Sequence, residues 1–95
     1  MSKQAKDLTT LRRQIFTADS AVLSSLAKRI RVVEKIGAYK GAHDIKPFDA
    51  KLRAKRRDEW VARGTHLGLS KKFVTDIYNI VHDYSVSVEK KIGKL

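Results

Sequence analysis

The sequence predicts an all-α chain of three helices with a very long first helix, two chains intertwining as a homodimer. Three observations carry this reading. Proline is absent before Pro47 and glycine before Gly37, so nothing interrupts the opening stretch. Within it Leu8, Leu11, Ile15, Ala18, Val22, Leu26, Ile30, Val33 and Ile36 recur in steps of three and four. The helix this implies, from about Lys6 to about Lys40, would be roughly 50 Å long. A compact chain of about 100 residues has a radius of gyration of only about 13 Å, so the apolar stripe outruns any core its own chain can form. Stripes of that size are rarely left bare, and a second copy is the economical cover.

The later elements follow from chain punctuation. Gly41 to Phe48 reads as a loop, with Pro47 beside a helix start. A second helix is expected from about Asp49 to Arg63, with Gly64 as its C-terminal stop. Its polar face carries Lys51, Arg53, Lys55, Arg56 and Arg57. Thr65 to Leu69 leads to Ser70, an N-cap by residue type. The third helix places Phe73, Ile77, Val81, Tyr84 and Val88 on one stripe, with Val74 and Tyr78 beside it, and frays near Gly93. With no repeat or low-complexity segment, residues 1–95 read as a single helical domain.

Composition narrows the chemistry. The 95 residues carry 21 Lys and Arg against 10 Asp and Glu, a formal charge of +11, and contain no cysteine. A disulfide scaffold, a thiol nucleophile and a thiolate metal site are therefore excluded. His43, His66 and His82 show no ligand spacing, and no metal is expected. Ser20, Ser24 and Ser25 have no nearby base. No apolar run approaches the roughly 20 residues of a membrane span, and the polar start Met1-Ser2-Lys3-Gln4 lacks a signal peptide's apolar core. The expectation is a soluble cytoplasmic protein with no membrane contact. The positive charge implies an anionic partner, either nucleic acid or a small acid.

The placement of the charges favours the small acid. Arg29 and Lys40 are three turns apart, within about 20° of each other around the first helix, on or beside the stripe that should be buried. Arg12 lies about 100° from Arg29, so it would serve a partner chain's site in an antiparallel pairing. Ser85 and Glu89, four residues apart, share a face of the third helix. Lone buried cations are costly, and the bland reading is that such side chains snorkel their charges into water. Two cations on an interior stripe, with Ser and Glu available from another helix, instead describe a cavity for a carboxylate-rich small molecule.

These residues resemble the all-α class of chorismate mutases. The matching stretches are Leu11-Arg12-Arg13-Gln14-Ile15 with Asp19, and Leu23-Ser24-Ser25-Leu26-Ala27-Lys28-Arg29. They continue with Ile36-Gly37-Ala38-Tyr39-Lys40, then Ile77-Tyr78-Asn79-Ile80-Val81 leading to Ser85 and Glu89. The order and spacing follow the family's L-R-x-x-I-x-x-x-D, L-L-x-x-R, [VI]-G-x-x-K and S-x-x-x-[QE] from about Leu8 to Glu89. The resemblance implies an intertwined homodimer with two shared active sites. It implies the Claisen rearrangement of chorismate to prephenate in the shikimate pathway of aromatic amino acid biosynthesis, a unimolecular pericyclic isomerisation needing no cofactor or metal. By the same resemblance Arg12 from the partner chain and Arg29 would clamp the two carboxylates. Lys40 would reach the ether oxygen and a carboxylate, and Ser85 would add a carboxylate contact. Glu89 stands where glutamine is common, as the second donor to the ether oxygen. A carboxylate only accepts, so Glu89 must carry a proton to donate, and activity favouring acidic pH is expected.

The second helix departs from the family. Its pattern there is D-x-x-R-E, in which the arginine assists a carboxylate and the glutamate holds the ring hydroxyl. Asp49 matches the first position and is carried as a substrate-binding candidate. Without a gap the pair falls on Leu52 and Arg53; shifted by one it falls on Arg53 and Ala54. The glutamate is missing either way, which leaves the preferred substrate open. A sister pericyclic enzyme, an isochorismate-pyruvate lyase or an aminodeoxychorismate mutase, is the nearest alternative. A small basic nucleic-acid-binding helical protein is the rival of another class, although a first helix this long fits no compact helix-turn-helix unit. The basic face of the second helix would also suit docking to a partner shikimate-pathway enzyme.

Overall fold

The computed structural model describes residues 7–94. They form three helices: α1 (Leu8–Ala42), α2 (Ala50–His66) and α3 (Lys71–Gly93). The uninterrupted periodicity of the opening stretch is thus realised as one helix of 35 residues. Its expected start at Lys6 lies outside the described residues. Asp7 caps the first turn, its Oδ1 accepting from the Thr10 backbone N–H at 2.8 Å. That backbone hydrogen bond, followed by one from the Thr10 side chain, holds the Asp7 carboxyl below its ordinary value.

Two helix ends differ from expectation, for the same reason. α1 continues past Lys40 to Ala42, so Gly41 is helical and does not open the loop. A Cβ on Gly41 would lie 2.9 Å from the Gly93 Cα, so its lack of a side chain serves close approach to α3. Gly64, expected to stop α2, is likewise helical and buried, since a Cβ there would stand 2.5 Å from Val74 Cγ2. α2 ends two residues later at His66, with the Leu67 N–H donating to the Arg63 and Gly64 carbonyls. Gly68, at φ +89, makes the turn that only glycine takes without strain. Both following helices begin on side-chain caps: Asp49 Oδ1 accepts from Leu52 N–H at 3.1 Å, and Ser70 Oγ from Phe73 N–H at 3.1 Å.

The structure separates into two compact units, one up to Arg31 and one from Val32 onward. In the first, every residue from Leu11 to Lys28 is exposed, including Ile15, Phe16, Val22 and Leu23. The second holds the core. Tyr78 is its one fully buried large side chain among the described residues, at 1% exposure. Trp60 of α2 meets the Tyr78 ring edge-on at 5.2 Å, as expected for a residue that packs α2 onto its neighbours. His82 stacks on the Tyr78 ring at 5.5 Å, and Phe48 of the α1–α2 loop meets His82 edge-on at 6.0 Å. Arg53 adds a polar tie, donating to Asp83 at 2.7 Å and to Asn79 at 3.1 Å.

The face of α3 that this core covers is not the expected one. Val74, Tyr78, Ser85 and Glu89 are buried, with Val81 and Val88 partly so. Phe73, Ile77 and Tyr84 remain exposed, together with Ile80. The two stripes adjoin, about 100° apart on the helix. α2 and the last turns of α1 cover only the Val74–Tyr78 side, so the apolar stripe beside it stays in solvent. Among the described residues no helix is long and apolar enough to cross a membrane.

Candidate active site

The site candidates that the structure brings together lie where the end of α1 meets the end of α3. The approach is set by glycine: a Cβ on Gly37 would be 2.9 Å from the Glu89 Cα. One turn further on, Lys40 therefore faces Glu89, with 2.8 Å between Nζ and Oε1. Their side chains are 20% and 10% exposed, so the pair is largely shielded from water. Lys40 Nζ also donates to the Pro47 carbonyl at 3.0 Å. An ammonium has three donors, and these contacts take two of them. Ser85 lies one turn before Glu89 on the same buried face and donates to the Val81 carbonyl at 2.7 Å.

A cavity of about 400 Å³ opens beside this pair, walled by Gly37, Gly41, Pro47 and Gly93 as well as charged side chains. Lys40, Lys46, Lys90 and Lys94 line it against two carboxylates, Asp44 and Glu89. The surplus of positive charge is of the size that a dianion would neutralise.

The other candidates have different settings. Asp49 is exposed and caps α2 through Oδ1. Arg53 is held by Asp83 and Asn79, which directs its guanidinium to α3. Leu52 is exposed and Ala54 partly buried, so no carboxylate occupies the middle of the Asp49–Ala54 turn in either alignment. Arg12, exposed, and Arg29, partly buried, both lie in the part of α1 that ends at Arg31. Two site elements escape sequence reasoning. The Pro47 carbonyl is a backbone group with no residue-type signature. Asp44 is a non-glycine at φ 55, a conformation its residue type tolerates but does not announce.

The chain is helical, and its glycine-lined seam presents Lys40 and Glu89 to a cavity rich in cations. The family follows from the whole chain: the model of the type II chorismate mutase family matches residues 11–90, and the chain belongs to that family. No individual curated protein and no solved structure matches it.

Proposed function

We propose that the chain is a chorismate mutase, an isomerase that converts chorismate to prephenate in the cytoplasm as an intertwined homodimer. The observation that carries this is the Lys40–Glu89 pair at the glycine-set seam, inside a family match that spans most of the chain. In the reaction an ether C–O bond breaks as a C–C bond forms within one molecule, and no proton, nucleophile or external electron is required. Catalysis then consists of holding the folded diacid conformer and placing donors where negative charge gathers on the ether oxygen. Lys40 supplies one donor. Glu89, protonated, supplies the other. Arg29, with Arg12 from the second copy, clamps the carboxylates through planar bidentate forks, and Ser85 adds a hydroxyl. A preorganised donor of this kind contributes about 3–4 kcal/mol to transition-state stabilisation.

The homodimer is supported by the two uncovered apolar stripes, Ile15–Val22 on α1 and Phe73–Tyr84 on α3. A second reading rests on α2. The absence of a carboxylate at Leu52, Arg53 and Ala54 favours a related pericyclic enzyme acting on isochorismate or aminodeoxychorismate.

Incubation with chorismate, isochorismate and aminodeoxychorismate, with products identified by mass spectrometry, separates these readings. Arg29→Ala should abolish whichever turnover is seen. Glu89→Gln, whose amide donates without needing a proton, should retain or raise turnover, whereas Glu89→Ala should lower it at least about tenfold. Equal turnover for Glu89→Ala and the native chain would remove Glu89 from the donor role. Salt-sensitive retention of DNA without turnover of any of the three compounds would replace the enzyme with a nucleic-acid-binding protein.

A further inference from the structure

The loop after α1 carries a carboxylate that the mechanism above does not use. Asp44 stands at φ 55, where a Cβ is crowded and glycine is the least strained occupant. The surrounding bonds are those of a helix stop that turns on this residue. Ile45 N–H donates to the Lys40 carbonyl at 2.9 Å and His43 N–H to the Tyr39 carbonyl at 3.1 Å. The position is fixed from both sides. The His43 ring stacks on Tyr39 at 4.0 Å, its Nδ1 2.8 Å from the Tyr39 carbonyl, while Lys40 Nζ binds the Pro47 carbonyl across the loop.

Its surroundings give the side chain a use. Asp44 lines the same cavity as Lys40 and Glu89. Among the described residues its carboxylate makes no hydrogen bond or ion pair, although Lys46, Lys90 and Lys94 share the cavity wall. A cyclic diacid of the proposed kind offers mostly acceptors: two carboxylates and an ether oxygen, all matched by cations. Its one donor besides these is the substituent on the ring, a hydroxyl or a protonated amine. That group requires an acceptor. Glu89 is engaged by Lys40 and serves the ether oxygen, which leaves Asp44 as the other carboxylate of the cavity.

Resting on the pericyclic reading, we propose that Asp44 is a substrate-binding, specificity-determining residue that accepts a hydrogen bond from the ring hydroxyl or ring amine of the diacid. The acceptor thus comes from the α1–α2 loop and not from α2. A carboxylate at this point binds an ammonium more strongly than a hydroxyl, because the hydrogen bond is then assisted by charge on both sides.

Two variants test this without unfolding the loop, since asparagine tolerates the left-handed region and glycine prefers it. The native chain, Asp44→Asn and Asp44→Gly are compared on chorismate and aminodeoxychorismate. The measured quantity is kcat/KM, or the inhibition constant for a compound that binds without turnover. Asp44→Asn should weaken the amino compound at least about tenfold more than the hydroxyl compound. Asp44→Gly should weaken both by about tenfold or more while its melting temperature stays level or rises. A preference ratio identical in all three proteins would overturn the role of Asp44 and leave the reaction standing. Equal loss for both compounds in both variants would do the same, because it marks a purely structural residue. Absence of any turnover or binding by the native chain would remove the pericyclic reading and the Asp44 proposal together.

Discussion

The α2–α3 pair and the first two-thirds of α1 are built from the same apolar residue types, yet they solve opposite problems. α2 and α3 bury Gly64, Val74, Tyr78 and Val86 within one chain and reinforce the contact with Arg53, Asp83 and Asn79. Up to Arg31, α1 buries none of its described residues, although its apolar stripe is just as regular. Periodicity therefore reports that a face will be covered but not by what. In the later helices the cover is local. For α1 the proposed cover is a second copy, and the same copy would take the Phe73–Ile77–Ile80–Tyr84 stripe of α3.

The comparison can be broken most severely on the α1 side. Ile15→Glu combined with Val22→Glu places two charges on one line of the exposed stripe, 62% and 57% open in the single chain. If that stripe is the dimer interface, sedimentation should show the dimer dissociation constant raised by about a thousandfold, with turnover lost alongside. An unchanged oligomeric state would mean that α1 is covered by something else. On the α2–α3 side the effect should be on folding itself. Tyr78→Ala empties the centre of the core and should lower stability by about 3–5 kcal/mol in chemical denaturation. Gly64→Ala, whose new methyl would overlap Val74, should cost about 1–3 kcal/mol in the same measurement.

The smallest effect should come from the start of α1. The Asp7 carboxyl titrates below its unfolded value, so its capping contribution is present above that value and fades as pH falls through the folded one. Asp7→Asn should therefore narrow the difference between melting temperatures measured at neutral and acidic pH. A difference as large as that of the native chain would place acid sensitivity elsewhere.

The long helix, the three-helix order and the cap at Ser70 were legible because they depend on spacing and local hydrogen bonding. So was the Lys40–Glu89 partnership, whose two positions were marked by a buried-face register and by the family pattern. The rest depended on facts that a linear pattern does not hold. Gly64 and Gly68 look alike in sequence, and only the approach of Val74 shows which is a packing glycine and which a turn. Two apolar stripes adjoin on α3, and which of them α2 would cover was settled by the polar tie of Arg53 and the Trp60–Tyr78 contact. The same tie shows Arg53 serving α3, a role that a count of cations on α2 conceals. The Pro47 carbonyl was invisible for a simpler reason, since every residue has one.

The meeting of Gly37 and Gly41 with Glu89 and Gly93 has a consequence for how the site can vary. Side-chain contacts between helices act as adjustable spacers, because a new rotamer or a longer residue resets the separation. Here backbone meets backbone, and the spacing has no such adjustment. The distance between the Lys40 ammonium and the Glu89 carboxylate is thus inherited from the girth of two bare helices. Substitutions across the basic surface of α2 can accumulate without reaching it, while a single methyl at the seam cannot be absorbed.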